Sequence, residues 1–166
     1  VIVEAPHPLA DADTAAIAAS IYRLLHARAL LIAGAHRDAD ANGAADVAHD
    51  VQSVFQAIHA ALSKSPTTII LQIHGFAADK HPGYPAVVLG SDEAQPSDLI
   101  KQLATELERA GVKVGVCDGK AWQQLCGATN VQSRHSQPAT FIHVELNETL
   151  RADPRPVLTA LQTLVR

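Results

Sequence analysis

The chain has 166 residues, enough for one domain with a sizeable core and too few for two ordinary ones. Hydrophobic residues make up 48% and charged residues 18%, which excludes a disordered chain, and a net charge of -4 without a basic stripe excludes a nucleic-acid footprint. No apolar run nears the roughly twenty residues of a membrane span.

Residues 1–5 are an apolar run, predicting a strand that leads into a loop at Pro6 and Pro8. Over residues 14–29, Ile17, Ile21, Leu24 and Leu25 recur at helical period among alanines, which predicts a helix. Residues 30–34 predict a second strand, and turn-forming residues fill 38–43. Val47, Val51, Val54, Phe55, Ile58 and Leu62 predict a second helix.

The run 67–74 is β-branched and nearly continuous, as in a strand buried on both faces of a sheet. A loop over 77–85 and a strand over 86–89 follow. Ser97 is placed to cap a helix whose buried face carries Ile100, Leu103 and Leu107, with Gly111 just past its end. A strand is predicted at 112–116. Residues 118–138 form a polar excursion of the length that compact domains reserve for function or mobility. A last strand covers 140–146, and Asp153 before Pro154 opens a closing helix.

Strands separated by helices imply an α/β domain with a mostly parallel sheet covered on both sides. Ligands of such sheets bind beyond the carboxyl ends of the strands. The chemistry-bearing residues gather there: His7 after the first strand, His36 and Arg37 after the second, His74 closing the third. Zinc catalysis needs about three nitrogen or oxygen ligands, an open position, and a carboxylate to take a proton from water. His7, Asp11 and His74 are placed to be the ligands and Glu145 the base.

The plainer readings are that Asp11 or Asp13 caps the first helix and that His74 is a satisfied core histidine. Glu145 resists such a reading. The period of two sets Phe141, His143 and Glu145 on one face of their strand, where a buried carboxylate is costly unless paired or used. Nine histidines also exceed what packing needs. Of these, His26 and His59 read as surface or helix-packing residues. Arg37 and Arg134 have the planar guanidinium suited to a carboxylate or a developing oxyanion. Cys117 and Cys126 match no metal or redox spacing, leaving a mutual disulfide and free buried thiols both open. The absence of methionine points to a processed chain, with the compartment open between cytoplasmic and exported.

Six blocks in order carry a resemblance: Glu-Ala-Pro-His-Pro-x-x-Asp-x-x-Thr (4–14), Gly-Ala-His-Arg (34–37), Asp-Val-Ala-His (46–49), Gln-Ile-His-Gly-Phe (72–76), Asn-Val-Gln-x-Arg (130–134) and Phe-Ile-His-Val-Glu (141–145). Together they resemble small bacterial proteins related to zinc carboxypeptidases and N-formylglutamate amidohydrolases. The resemblance implies a single domain over 1–166, a three-layer α/β/α sandwich with a mostly parallel (mixed) central sheet, phosphorylase/hydrolase-like. It implies one zinc ion on His7, Asp11 and His74, with Glu145 catalytic. Arg37 or Arg134 would polarise the scissile carbonyl, and Asn130 with Arg134 would clamp a substrate carboxylate. Family carboxypeptidases have two residues between the first histidine and its acid; here there are three, so Asp13 and Glu4 stay rival ligands.

The implied activity is hydrolysis of an amide or peptide bond next to a free carboxylate. The alternative is a metal- or ligand-binding relative without catalysis. An α/β-hydrolase reading of Ile-His-Gly-Phe lacks its Gly-x-Ser-x-Gly elbow.

Overall fold

A computed structural model of the protein describes residues 1–93 and 95–165. Six strands form one sheet: β1 (Ile2–Ala5), β2 (Ala29–Ile32), β3 (Ile69–Gly75), β4 (Val87–Gly90), β5 (Val114–Val116) and β6 (Thr140–Leu146), in the order β2-β1-β3-β6-β4-β5. All neighbouring pairs are parallel except β4 with β6. The helices are α1 (Thr14–Leu24), α2 (Val54–Leu62), α3 (Asp98–Arg109), α4 (Val131–Arg134), α5 (Glu148–Ala152) and α6 (Arg155–Leu161).

The period of two divides every central strand between two chemistries. On one face, Val3, Ala5, Leu71, Ile73, Ile142, Val144 and Leu146 join Ile17, Ile21, Leu103, Leu107, Val157 and Leu161 of α1, α3 and α6 in the main core. Each such fully buried aliphatic contributes on the order of 1.5–3 kcal/mol through removal from water. The opposite face is apolar where Ile2, Leu31, Ile70 and Phe141, at the amino-terminal part of the polar-faced strands, meet Phe55 of α2, and again around Val88 of β4. Its middle carries Glu4, Gln72, His74, His143 and Glu145, all buried. Register aligns them, Glu4 beside Gln72, Gln72 beside His143 and His74 beside Glu145. The layers are helix, sheet, helix, as an α/β sandwich requires.

Three predicted boundaries shift. α1 ends at Leu24 rather than near residue 29, because His26 turns left-handed (φ 47°) and Arg28 N–H bonds to Val1 O to start β2. α2 begins only at Val54; Ser53 caps it by accepting Gln56 N–H, and the earlier apolar residue Val51 lies exposed in a turn. At the closing helix Pro154, not Asp153, occupies the cap position. Asp153 accepts the N–H and guanidinium of Arg155 instead. Ser97 caps α3 as its sequence implies, accepting Ile100 N–H.

Cys117 and Cys126 form a disulfide, resolving the open pairing. It closes the first part of the polar excursion against β4, so that a segment without strands is fixed beside the sheet. Gly90 makes the approach possible: a Cβ there would meet Cys126 O at 2.6 Å and Cys117 Sγ at 3.0 Å. Among the described residues no helix is long and apolar enough to cross a membrane.

Candidate metal centre and active site

The chain leaves β1 for β2 on one side and later returns to place β3 on the other. Strand order therefore reverses between β1 and β3, where α/β sheets open a crevice at their carboxyl ends. His7 lies two residues beyond β1, and His74 is the penultimate residue of β3. The turn after His7, in which Ala10 and Asp11 N–H bond to His7 O, brings Asp11 back over the end of β3. There Asp11 Oδ2 accepts Gly75 N–H at 3.2 Å, and it stands 3.7 Å from His7 Nδ1 and 3.4 Å from His74 Nδ1.

Both imidazoles are oriented from behind. His7 Nε2 donates to Asp46 Oδ1 at 2.7 Å, and Arg37 Nη1 lies 3.4 Å from His7 Nδ1. His74 Nε2 donates to Gln72 Oε1 at 2.9 Å. Each ring thus turns an unprotonated Nδ1 toward Asp11. Burial lowers the His7 pKa to about 4, with the neighbouring charges of His74 and Arg37 acting the same way, so the ring is neutral near pH 7. For Asp11, burial alone would raise the carboxyl. The adjacent His74 and His7 and the Gly75 N–H outweigh burial and hold it below the usual range.

Two imidazole nitrogens and one carboxylate oxygen, all within 4.8 Å of one another, make a donor set that fits zinc. The second nitrogen of each ring is already bonded, as metal-binding histidines require. The rival acids lie elsewhere. Glu4 is fully buried, accepting from His59 Nδ1 at 2.8 Å and from Gln72 Nε2 at 2.9 Å. Asp13 is exposed at the start of α1 with φ 70° and makes no side-chain cap. His59, which the sequence assigned to surface or helix packing, has no exposure at all and joins this buried polar set.

Glu145 sits on β6 beside His74, its Oε1 3.9 Å from His143 Nε2. Its Oε2 has no hydrogen-bond partner among the described residues. Burial pushes its carboxyl well above the ordinary value, and the Asp11 charge adds to this. His143 is buried against His74, ring centroids 4.5 Å apart, and burial followed by the charge of His74 keeps it neutral. Gly127 (φ +69°) gives the ring its space, since a Cβ there would lie 2.7 Å from it.

A cavity of about 490 Å³ opens over these groups, lined also by Arg37, Lys80 and Arg151 and by residues 123–125 and 127–130. The disulfide-tied excursion is therefore a wall of the site. Arg37 reaches the cavity while paired with Asp46 Oδ2 at 2.5 Å. Asn130 lines it too, but its side chain caps α4 by accepting Ser133 N–H and donates to Gln72 Oε1. The expected clamp is not assembled: Arg134 is exposed, bonds to Ala128 O, and does not line the cavity.

Sequence reasoning passed over Gln72 and Asp46 as individual positions and gave His143 a face but no role. His143 shares the face of Glu145 by the period of two in β6, whereas the nearly continuous apolar run of β3 masked the position of Gln72. Asp46 lies in a turn after β2 and had no periodic signal.

No family model matches the chain, and no curated protein matches it. Among solved structures, a bacteriophage poly-gamma-glutamate hydrolase superposes on 98% of this chain and 81% of its own length, with a TM-score of 0.65. The two share a fold. Their sequences are 13% identical, so the likeness speaks for the architecture and not for the chemistry.

Proposed function

We propose that the chain is a zinc-dependent hydrolase of amide or peptide bonds next to a free carboxylate. The observation that carries this reading is the convergence of His7 Nδ1, His74 Nδ1 and Asp11 Oδ2 at a topological switch point, with a buried carboxylate one strand away. Held there, zinc would supply a more acidic water and a polarised carbonyl oxygen.

The remaining work falls to the chain's own groups. Glu145 takes the proton of the attacking water on its unpartnered Oε2 and returns it to the leaving nitrogen. Burial raises the proton affinity of this carboxylate, which favours the transfer from the water. Arg37, fixed by Asp46, stabilises charge developing on the substrate carbonyl. Lys80 and Arg37 give the cavity its cationic lining for an acidic substrate. A polymer of γ-linked glutamate, the substrate named for the structural neighbour, has a free carboxylate beside every amide and fits that lining.

Zinc content of protein purified without added metal, then turnover of γ-glutamyl oligomers, α-linked peptides and N-acyl amino acids, test the proposal. A stoichiometric ion and cleavage of at least one class are expected. Absence of any zinc binding would overturn it, and zinc binding without turnover would leave a non-catalytic metal protein.

A further inference from the structure

We infer that Gln72 is a positioning residue which fixes His74 in its Nε2–H tautomer and so presents Nδ1 to the metal; the inference rests on the zinc site proposed above.

Gln72 has no exposure, and its amide makes the four hydrogen bonds such a group can make. Oε1 accepts from Asn130 Nδ2 at 2.5 Å and His74 Nε2 at 2.9 Å; Nε2 donates to Glu4 Oε2 at 2.9 Å and Gln132 Oε1 at 3.3 Å.

The direction of this hydrogen-bond network follows from the backbone groups at its ends. Asn130 Oδ1 accepts the backbone N–H of Ser133 at 3.1 Å, so the atom it turns to Gln72 is the amide nitrogen, a donor. Gln132 Nε2 donates to the backbone carbonyl of Val47 at 3.0 Å, so the atom it turns to Gln72 is the oxygen, an acceptor. The carboxylate of Glu4, which also accepts from His59 Nδ1, is an acceptor as well. Two acceptors face one end of the Gln72 amide and a donor faces the other. The oxygen must therefore point at Asn130 and His74, and His74 Nε2 can only donate.

A flipped Gln72 would set its oxygen against Glu4 and Gln132 and its NH₂ against Asn130, three losses among buried side chains. A buried donor or acceptor left without a partner loses its hydration with nothing in return, so this orientation is strongly disfavoured. The asymmetry with His7 is informative, because a carboxylate directly behind a metal-binding histidine is the commoner arrangement. At His74 the carboxylate, Glu4, stands one residue further back and acts through the neutral amide.

The test reads the imidazole tautomers of the metal-free full chain through two-bond ¹H–¹⁵N correlations near neutral pH, with His74 assigned from His74→Gln. Zinc affinity is measured in parallel by competition with a chromophoric chelator. Wild type should show His74 as Nε2–H. Gln72→Leu should lose that preference and about 10- to 100-fold in zinc affinity while far-UV circular dichroism is retained. The exchanged pair Glu4→Gln with Gln72→Glu keeps an acceptor toward His74 and a donor toward position 72, and should restore both. A folded Gln72→Leu that keeps the tautomer and the affinity overturns the inference. If Gln72→Leu does not fold, the exchanged pair decides alone: a lost Nε2–H tautomer in it overturns the inference. Failure of the zinc site itself is separable, since wild type would then show the tautomer and bind no metal.

Discussion

His7 Nε2 and Asp46 Oδ1 lie 2.7 Å apart, a contact that turns His7 Nδ1 toward Asp11. Asp46 also holds Arg37 and contacts His49 Nδ1 at 3.1 Å, so one carboxylate orders a ligand candidate and a substrate-binding candidate together. Its carboxyl is the less costly to use because it is only partly buried, and the hydrogen bonds of His7 and His49 hold it below the usual range against burial. Asp46→Ala should weaken zinc binding about 10- to 100-fold, the usual effect of removing such a partner. Chelator competition measures it, and circular dichroism should show an unchanged fold. Unaltered affinity would remove Asp46 from the site.

Glu145→Gln tests the base without touching a ligand. The amide keeps the volume and can still contact His143, but it cannot carry a proton. Turnover of a cleaved substrate should fall about 10²- to 10⁴-fold, with zinc content unchanged. Full activity in the zinc-loaded variant would end the assignment of Glu145 as base.

The polar face of the sheet was half legible. Alternation in the last strand separated Phe141, His143 and Glu145 from Ile142, Val144 and Leu146, and the structure places them on opposite faces. The third strand hid the same alternation, because Ile70, Ile73 and the β-branched residues before them read as a continuous apolar run. Glu4 stayed a rival ligand on sequence distance; the parallel register of β1 with β3 sets it against Gln72, where its carboxylate accepts from Gln72 and His59. Helix boundaries failed where tertiary contacts overrode periodicity, as at Val51. The structure does not bring Asn130 and Arg134 together at the cavity; a helix cap and a carboxylate ligand call on the same residue types, and only the geometry of α4 shows the cap.

Acidification should destabilise the metal-free protein, and the sign follows from His7. Its folded pKa of about 4 lies below the ordinary 6.5, so between those values the unfolded chain binds more protons. Its contribution is complete above pH 6.5 and is lost as pH falls toward 4, a change on the order of 3 kcal/mol. His143, also lowered, adds in the same direction. Asp11 and Asp46, held below their ordinary values, extend the loss to lower pH. Glu145 opposes them, because its raised value favours the folded state at low pH and disfavours it as pH rises. Urea denaturation at several values from pH 7 to 4 should show falling stability, with a shallower fall in His7→Gln. A flat profile would contradict the burial assigned to His7.

The disulfide gives the last prediction, because it ties a wall of the cavity and not the core. Cys117 follows β5 directly, whereas Cys126 ends the 3-10 turn Gln123–Leu125 that borders the cavity. Bridging residues nine apart removes chain entropy worth about 2–3 kcal/mol in the loop-closure model. The strands and the ligand candidates His7, Asp11 and His74 lie outside that loop. Reduction, or Cys117→Ala with Cys126→Ala, should therefore lower thermal stability while leaving zinc affinity nearly unchanged. Its kinetic effect should fall on KM more than on kcat, since Leu125 and residues 127–130 line the cavity without supplying the base. Gly90→Ala, which drives a methyl into Cys126 O, should reproduce the KM effect with the bridge still formed. A fall in kcat with KM unchanged, in either variant, would mean that the wall carries chemistry of its own.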